Sequence, residues 1–273
     1  MASPSIPAGG EPPAPIDTPP GAAHPEPRLR IPPHLRALLL PAPPRTFGKL
    51  LRAVFLWIVA LTVALWLFFA FLLVLFRFVD PPTTALHIER RIQSLTGSLP
   101  GSKPYRPRYD FIPLSQISPN LQHAVVAAED ARFYQHHGFD WQQIQLAVDE
   151  DREGHRLRGA STIDQQLIKN LFFGTSRSFL RKGAEASLVP VAEVVLGKRR
   201  ILELYLNVVE WGPGGIYGAD AACRYHYGIS ARAIGRDQAA RLAAILPNPI
   251  RRRPQRMDHY SSIILTRMSQ MGW

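Results

Sequence analysis

The sequence has a single cysteine, Cys223, so no internal disulfide can form. Cys223 lies in an alanine-rich run, which favours a small core side chain over a nucleophile or a metal ligand. The sequence also lacks any alternation of apolar and polar residues long enough to suggest a large sheet, and it shows no internal repeat. These absences exclude a disulfide scaffold and argue against a fold built on an extensive sheet.

Acidic residues are scarce: 21 Asp and Glu stand against 32 Lys and Arg, which gives a net charge of +11. Such an excess indicates an anionic partner, which could be nucleic acid, anionic lipid or a phosphorylated substrate. The length of 273 residues allows one or two domains, since a domain usually takes about 100–200 residues.

Charge is absent altogether from Ala53 to Phe76. This apolar run is long enough to span a bilayer core of about 30 Å, which needs about 20 residues. It lies too far from the N-terminus for a signal-peptide core, and no small-residue cleavage site follows it. The run therefore predicts a single transmembrane helix, with a very apolar buried helix as the alternative.

Basic residues flank this run on its N-terminal side, at Arg45, Lys49 and Arg52. Because basic flanks stay in the cytoplasm, we expect the N-terminus inside and the C-terminal part outside, in a single-pass protein of the cytoplasmic (inner) membrane. A basic domain outside the cell does not meet the genome, so nucleic acid is not an expected partner.

The remaining chain divides into three parts around the anchor at 47–79. Residues 1–46 are rich in proline and too poor in large apolar side chains to fold, which predicts a disordered cytoplasmic tail. Residues 80–117 hold many prolines and predict an extracytoplasmic linker or the start of a lobe. Residues 118–273 predict a mostly helical domain. Its expected helices begin at Ser118 and at Ser161-Thr162 and cover Ser178–Leu196 with a kink at Pro190, Lys198–Val209, Ala219–Tyr227, Asp237–Leu246 and Asp258–Met271.

The first of these helices carries an acidic residue on an apolar stripe. Leu121, Val125 and Glu129 are spaced by four and share one helical face, and Ser118-Pro119 is a typical helix start. A carboxylate on that face is partly desolvated, which raises its pKa and suits it to accept a proton. The stretch alone is equally compatible with a buried glutamate in a structural ion pair.

Two further clusters suggest anion binding. The helix start at Ser161-Thr162 offers free backbone N–H groups, while Gln165 and Gln166 could bond sugar hydroxyls. A cationic patch follows beside a second carboxylate, and it could bind a pyrophosphate; it comprises Lys169, Arg177, Arg181 and Lys182 next to Glu185. The alternatives are an ordinary capped helix and a plain Arg181–Glu185 pair worth about 0.2–0.5 kcal/mol.

Five segments in order give the sequence a specific resemblance: EDARFYQHHG, GASTIDQQLIKN, RKGAE, KRRILELYLN and GIYGADAA. Over about residues 81–252 the chain resembles the peptidoglycan glycosyltransferases of family 51, most of all the monofunctional membrane-anchored kind. The resemblance implies a lysozyme-like, two-lobed α-helical fold. It also implies a substrate, lipid II, which is a disaccharide-pentapeptide on undecaprenyl pyrophosphate.

The same resemblance implies roles for individual residues. Glu129 becomes the catalytic base and Glu185 the second acidic residue, where Mg²⁺ or Mn²⁺ is possible although no cofactor is required. The implied substrate-binding residues are Lys169, Arg177, Arg181, Lys182, Gln166, Asn170, Ser161 and Thr162. The implied partners are lipid II, the growing glycan strand and the membrane, with cell-division or elongation proteins possible. The sequence departs from the family pattern at Asp164, where Thr or Ser is usual, at the extra glycine of Gly214-Gly215 and at His226-Tyr227.

Two other functions fit parts of the sequence. A lysozyme-like domain with two carboxylates could cleave glycan, as a hydrolase or lytic transglycosylase, although a neutral glycan needs no cationic patch. A non-enzymatic cell-wall scaffold would not need Glu129. The chain contains neither Ser-x-x-Lys nor Lys-Thr-Gly, so no penicillin-binding transpeptidase is expected beside the glycosyltransferase.

The charge asymmetry around the apolar run makes the topology testable. A reporter that is active only outside the cytoplasm, fused after Trp273, should be active, because the basic flank keeps the N-terminus inside. A cytoplasm-specific reporter at the same position serves as the matched control. Strong activity of the second fusion would contradict the predicted orientation.

Overall fold

The fold is described from a computed structural model, which describes residues 45–101, 104–152, 161–176 and 178–273. Almost all of the tail expected at 1–46 therefore lies outside the described residues. So do Arg177 and nearly all of the segment Arg152–Arg158, for which the charged sequence predicts a mobile loop that orders with substrate. The chain divides into two compact units, Met1–Trp57 and Ile58–Trp273. The described part of the first unit is helical.

Helices dominate the described chain, as the sequence predicts. The helices are α1 Arg45–Phe76, α2 Ala85–Leu95, α3 Pro119–Glu129, α4 Trp141–Arg152, α5 Ile163–Ile168, α6 Phe179–Val208, α7 Ala219–Tyr227, α8 Arg236–Ala243 and α9 Asp258–Gln270. A π-helical turn, Lys169–Phe173, extends α5, and 3-10 turns cover Leu114–Gln116 and Pro254–Arg256. The strands β1 Arg108–Tyr109, β2 Glu210–Gly212 and β3 Ile216–Tyr217 form one sheet in the order β1-β3-β2, with β1 parallel and β2 antiparallel to β3.

Helix α1 is long and apolar enough to cross a membrane, with a mean hydropathy of 2.9 over its most apolar part. Its last turns pack into the second unit. Leu73 is fully buried, and the Phe69 ring lies 4.9 Å from that of Phe172 in the π turn. The indole N–H of Trp66 donates to Ser187 Oγ at 3.0 Å. The C-terminal end of this helix is therefore part of the core of the second unit.

Helix α6 breaks at a glycine. The sequence predicts two helices here, with a kink at Pro190 inside the first. In the structure, Pro190 lies within the helix, and the non-helical residue is Gly197, with φ 70° and ψ 162°. Glycine adopts such a φ at little cost, whereas a proline can stay in a helix at the loss of one hydrogen bond. The predicted boundary between the two helices is confirmed, and the break falls on it.

The segment 80–117 is pinned to α6 by two polar side chains. The Asn207 amide accepts from the backbone N of Ile112 at 3.0 Å and donates to its carbonyl at 2.9 Å. Glu203 Oε1 accepts from the backbone N of Leu114 at 2.7 Å. Both residues serve as scaffold, since they hold this segment on α6. Helix α2 adds a buried ion pair, in which Arg90 Nη2 lies 2.9 Å from Glu210 Oε2.

Two groups of helices meet where α3 ends. Helix α3 packs on α8 and α9, and α5 packs on α6 and the π turn. Leu121 and Val125 are fully buried, which confirms the apolar stripe of α3. Cys223 is also fully buried, and burial raises the pKa of its thiol to about 12, in agreement with a core role.

The loop between β3 and α7 depends on one glycine. Gly218 has φ 86° and ψ 154°, and a Cβ there would meet the carbonyl oxygen of Asn207 at 2.9 Å. Gly218→Ala should therefore lower the free energy of unfolding by more than about 3 kcal/mol, through backbone strain plus the clash. Thermal unfolding followed by circular dichroism measures the loss.

The matched control is Gly228→Ala at the end of α7. Gly228 also has a positive φ, 71°, but no atom lies within 4 Å of its would-be Cβ. Only the left-handed backbone is penalised there, for about 1–2 kcal/mol. Equal losses in the two variants would contradict the role given to the Asn207 carbonyl.

Candidate active site

Glu129 is the last residue of α3 and stands on the wall of a cavity. The helix starts as the sequence predicts, with the Ser118 hydroxyl accepting from the backbone N of Asn120 and Pro119 in the first turn. Glu129 itself is half-buried. The cavity has a volume of about 760 Å³, and its polar lining includes Arg132, Ser161, Gln166, Arg252 and Tyr260 besides Glu129. A carboxylate thus faces a space large enough for a sugar.

A chain of two hydrogen bonds holds this carboxylate in place. Gln166 Nε2 donates to Glu129 Oε2 at 2.9 Å. The hydroxyl of Tyr205, which is fully buried, donates to Gln166 Oε1 at 2.9 Å. Both ends of the Gln166 amide are therefore engaged by the protein. This geometry is that of a positioning residue, and sugar binding by Gln166 stays a prediction.

The environment of Glu129 raises its pKa, as the apolar stripe predicts. Burial is the main cause, and the negative charge of Asp130 adds to it. Three groups act in the opposite direction: the hydrogen bond from Gln166 and the positive charges of Lys169 and Arg252. The sequence predicts the desolvation but not this opposing set. A buried carboxylate that still has cationic neighbours can exchange a proton near the working pH.

The N-terminus of α5 is already occupied by a protein carboxylate. The backbone N of Ile163 donates to Asp130 Oδ2 at 3.0 Å. Thr162 and Gln165 form a reciprocal capping box, with bonds of 3.2 and 3.1 Å. Ser161 is exposed on the cavity wall, but the free anion site expected at Ser161-Thr162 is not what the structure has. Asp130 takes the place that a bound anion would take.

Asp130 in turn has a histidine partner. Both of its carboxylate oxygens lie 3.0 Å from His136 Nε2, and the two side chains are buried. The two acids of one dipeptide therefore have different surroundings: Glu129 faces the cavity, and Asp130 caps a helix. Sequence reasoning missed the role of Asp130, although His136 stands in the same motif and was a usable signal.

Two cations of the predicted patch lie on Glu185. The guanidinium of Arg181 donates to Glu185 Oε1, and Lys182 Nζ lies 3.6 Å from Glu185 Oε2. Glu185 is buried, while Lys182 is exposed. Arg181 Nε is buried without a hydrogen-bond partner among the described residues. Arg177, expected in the same patch, lies outside them.

Lys169 joins this patch through the π turn, in which Asn170 is buried. Burial lowers the pKa of Lys169, and the positive charge of Arg181 lowers it further. Burial also lowers the pKa of Lys182, followed by the charges of Lys169 and Arg181. Cations that depress one another's pKa in this way form a patch whose positive charge is not fully compensated by Glu185.

Glu185 does not belong to the group of described residues whose ligand atoms lie close enough together for a metal ion. Among the described residues, the group with ligand atoms close enough for an ion is Asp130, His136 and Asp164, all buried and within 4.8 Å of one another. Both of its carboxylates are engaged, because His136 Nε2 lies 3.0 Å from Asp130 Oδ2 and Lys198 Nζ lies 3.2 Å from Asp164 Oδ2. An ammonium already fills the place of a cation, so these residues do not fit a metal.

Asp164 belongs to a buried pair of acids bridged by one lysine. Lys198 Nζ lies 3.2 Å from Asp164 Oδ2 and 3.1 Å from Glu193 Oε2, and the Phe133 ring covers the ammonium at 4.4 Å. Asp164 is fully buried. Burial raises the pKa of Asp164 to about 8, with a further contribution from its hydrogen bond to Glu193. Burial therefore favours the protonated form of Asp164 beside Glu193.

The chain is similar in sequence to a known protein family and to named members of it. A family model described as Transglycosylase matches residues 97–269. The chain is similar to proteins named biosynthetic peptidoglycan transglycosylase from three bacteria. The one from Pseudomonas fluorescens (strain SBW25) is 48% identical over 178 residues, 65% of this chain and 72% of that protein. The one from Pseudomonas putida (strain W619) is 43% identical over 228 residues, 82% and 91% of the two chains. The one from Shewanella oneidensis (strain MR-1) is 45% identical over 227 residues, 81% and 94%.

The buried Asp164 makes stability depend on pH. Its pKa of about 8 in the folded chain lies above the ordinary value of 3.8, so the folded state holds the proton that the unfolded state loses. Stability should therefore fall as pH rises from about 4 to about 8, by at most about 1.4 kcal/mol per pH unit. Asp164→Asn mimics the neutral acid and should remove this slope in thermal unfolding of the detergent-solubilised protein.

Asp237→Asn is the matched control, because Asp237 stands in the first turn of α8 and its side chain is 61% exposed. This variant should keep the pH dependence of the native sequence. If Asp164→Asn unfolds with the same slope as Asp237→Asn, Asp164 does not carry a proton in the folded state.

Proposed function

Because this chain belongs to the transglycosylase family and is a peptidoglycan glycosyltransferase with a lysozyme-like domain, we propose that it polymerises lipid II with Glu129 as the catalytic base. One observation carries the assignment of the base. Glu129 is a half-buried carboxylate with a raised pKa, fixed by Gln166 on the wall of the cavity and influenced by the cationic Lys169.

In the proposed reaction, Glu129 acts on the acceptor sugar, and the acceptor then attacks the donor. The acceptor enters the cavity with the 4-hydroxyl of its GlcNAc towards Glu129, which takes the hydroxyl proton. The oxygen forms a bond to C1 of the donor MurNAc as the bond from C1 to the pyrophosphate oxygen breaks. The anomeric centre is inverted, and undecaprenyl pyrophosphate leaves with the bonding electron pair.

The cationic patch serves the leaving group. Lys169, Arg181 and Lys182 are close enough for their charges to act on one another, and Arg181 Nε has no hydrogen-bond partner among the described residues. Negative charge grows on the pyrophosphate as it departs, so these cations stabilise the transition state more than the bound substrate. We assign Glu185 to holding Arg181 and Lys182 in place. Arg177 joins the patch in this proposal on the strength of its motif alone.

The membrane helix places the enzyme at its lipid-linked substrate. The apolar helix α1 supports a membrane anchor. We propose a single pass with the N-terminus in the cytoplasm, the tail at 1–46, the anchor at 47–79, and the folded domain outside. Donor and acceptor both carry a lipid tail, so an anchored enzyme meets them in the plane of the bilayer.

A glycan-cleaving activity is the second function to be tested. The two candidate carboxylates of such an enzyme would be Glu129 and Glu185, but Glu185 is buried and paired with Arg181. A neutral glycan offers nothing for Lys169 and Lys182 to bind. Purified protein should therefore elongate lipid II into glycan strands and release no soluble fragments from cell-wall sacculi.

The two glutamates should differ when substituted. Glu129→Gln keeps the shape and the contact with Gln166 but removes the base, so turnover of lipid II should fall by at least about 100-fold. Binding of a pyrophosphate-bearing donor analogue should stay close to that of the native chain. Glu185→Gln frees Arg181 and Lys182 from their carboxylate, so it should weaken analogue binding as well as turnover. Polymerisation rates and analogue affinity, measured on the same preparations, separate the two roles.

Thermal unfolding of both variants controls for a loss of fold. Normal turnover in Glu129→Gln would rule out the proposed base. Failure of the native chain to polymerise lipid II would instead favour a scaffold. Release of sacculus fragments that depends on Glu129 would instead identify a glycan-cleaving enzyme.

A further inference from the structure

Three arginines line the cavity beside Glu129: Arg132, Arg252 and Arg267. Arg132 lies 3.7 Å from the carboxylate of Asp140. Arg267 Nη1 donates to the carbonyl of Ala127 at 3.2 Å. Arg252 has no carboxylate within ion-pair distance among the described residues, and its charge acts on Glu129. The Arg252 guanidinium is therefore coupled to the proposed base.

The fold holds Arg252 rigidly. The Asn248 carbonyl accepts from the Arg252 backbone N at 2.9 Å, which closes a tight turn after α8. Arg252 Nη1 donates to the carbonyl of Ala244, at the end of α8, at 2.8 Å. The guanidinium lies over the Tyr260 ring of α9, 4.9 Å from its centroid. A charge fixed by a carbonyl and an aromatic face loses little entropy when it acts on a neighbour.

Lys169 alone cannot keep Glu129 ionised throughout the reaction, so a second cation near Glu129 is needed. Lys169 belongs to the patch that receives the pyrophosphate, and it does not line the cavity. Once an anionic donor binds that patch, the positive charge of Lys169 is neutralised by the ligand. Glu129 must nevertheless be ionised to take the proton of the acceptor, and its burial opposes ionisation.

We propose that Arg252 is a positioning residue for Glu129, whose fixed guanidinium keeps the carboxylate ionised and oriented when the donor occupies the cationic patch. This inference rests on the proposed role of Glu129 as the base. Arg252 acts through Glu129 and does not bind the reacting atoms. Arg252 lies on the cavity wall and not in the cationic patch, so the bound donor does not neutralise its charge.

The direction of the pH effect follows from the charge. Arg252 lowers the pKa of Glu129, so its removal raises that pKa and leaves less ionised base at low pH. The rate should then fall most on the acid limb of the pH profile and approach the native rate on the alkaline side. Four groups act on the pKa of Glu129: Asp130, Gln166, Lys169 and Arg252. Only Arg252 is changed when the pH profile of Arg252→Gln is compared with that of the native chain.

The test compares full-length protein in detergent for the native chain, Arg252→Gln, Arg252→Lys and Arg253→Gln. Arg253 is the adjacent control, since it donates to the Ile250 carbonyl and does not line this cavity. Polymerisation of lipid II is followed from about pH 5.5 to about pH 9, so that both limbs are sampled. Arg252→Gln should lose several-fold in kcat/KM on the acid limb, Arg252→Lys should recover part of that loss, and Arg253→Gln should follow the native profile.

Other outcomes would overturn the proposal. A loss of equal size at every pH, carried by KM, would make Arg252 an acceptor-binding residue. An unchanged profile would leave it no role at Glu129. If Arg252→Gln fails to fold, Tyr260→Leu removes the aromatic support while keeping the charge, and it should shift the acid limb in the same direction by less; no shift there contradicts the proposal.

Failure of this inference can be told apart from failure of the proposed base. An inactive Glu129→Gln beside an Arg252→Gln that follows the native profile removes only the role of Arg252. An active Glu129→Gln removes both.

Discussion

The structure around the cavity depends on the burial of two adjacent carboxylates. Glu129 and Asp130 end a helix whose preceding turns are packed in the core, so neither acid can be fully hydrated. A buried charge must find partners or lose its ionisation. Asp130 receives strong partners, the His136 ring and the N-terminus of α5. Glu129 receives weaker compensation and is left able to exchange a proton.

The contact between Asp130 and the N-terminus of α5 explains why α5 starts where it does. The Asp130 carboxylate fixes the first turn of α5, and this fixes Gln166 in the next turn against Glu129. The π turn then carries Lys169 towards the patch of Arg181 and Lys182. The Asp130 side chain thus links the position of the proposed base to that of the proposed leaving-group site. Tyr205 completes the arrangement from α6, on which α5 packs.

Local spacing predicted the parts of the site that lie within one helix. The stripe Leu121, Val125 and Glu129 follows from steps of four, and the closeness of Arg181 and Glu185 follows from the same rule. Contacts between elements left no such signal: Gln166 meets Glu129 across 37 residues, and Arg252 stands in a run of arginines that looks like exposed surface. Asp164 was visible as a departure from the family pattern, but its partners Glu193 and Lys198 lie on the two sides of the break at Gly197 in α6 and gave no local signal. The sheet escaped prediction because strands of two or three residues are too short to show alternation.

The last turns of helix α1 are a rigid part of the folded domain and not a flexible linker. A flexible linker would let the height of the domain above the bilayer vary. The cavity would then have to find the lipid-linked sugar in three dimensions. Here Trp66 is bonded to α6 and Leu73 is sealed inside the domain, so the last turns of the helix and the cleft form one body. In the proposed membrane-anchored arrangement, this holds the cavity at one fixed height above the bilayer, so the search for the next lipid-linked monomer is lateral.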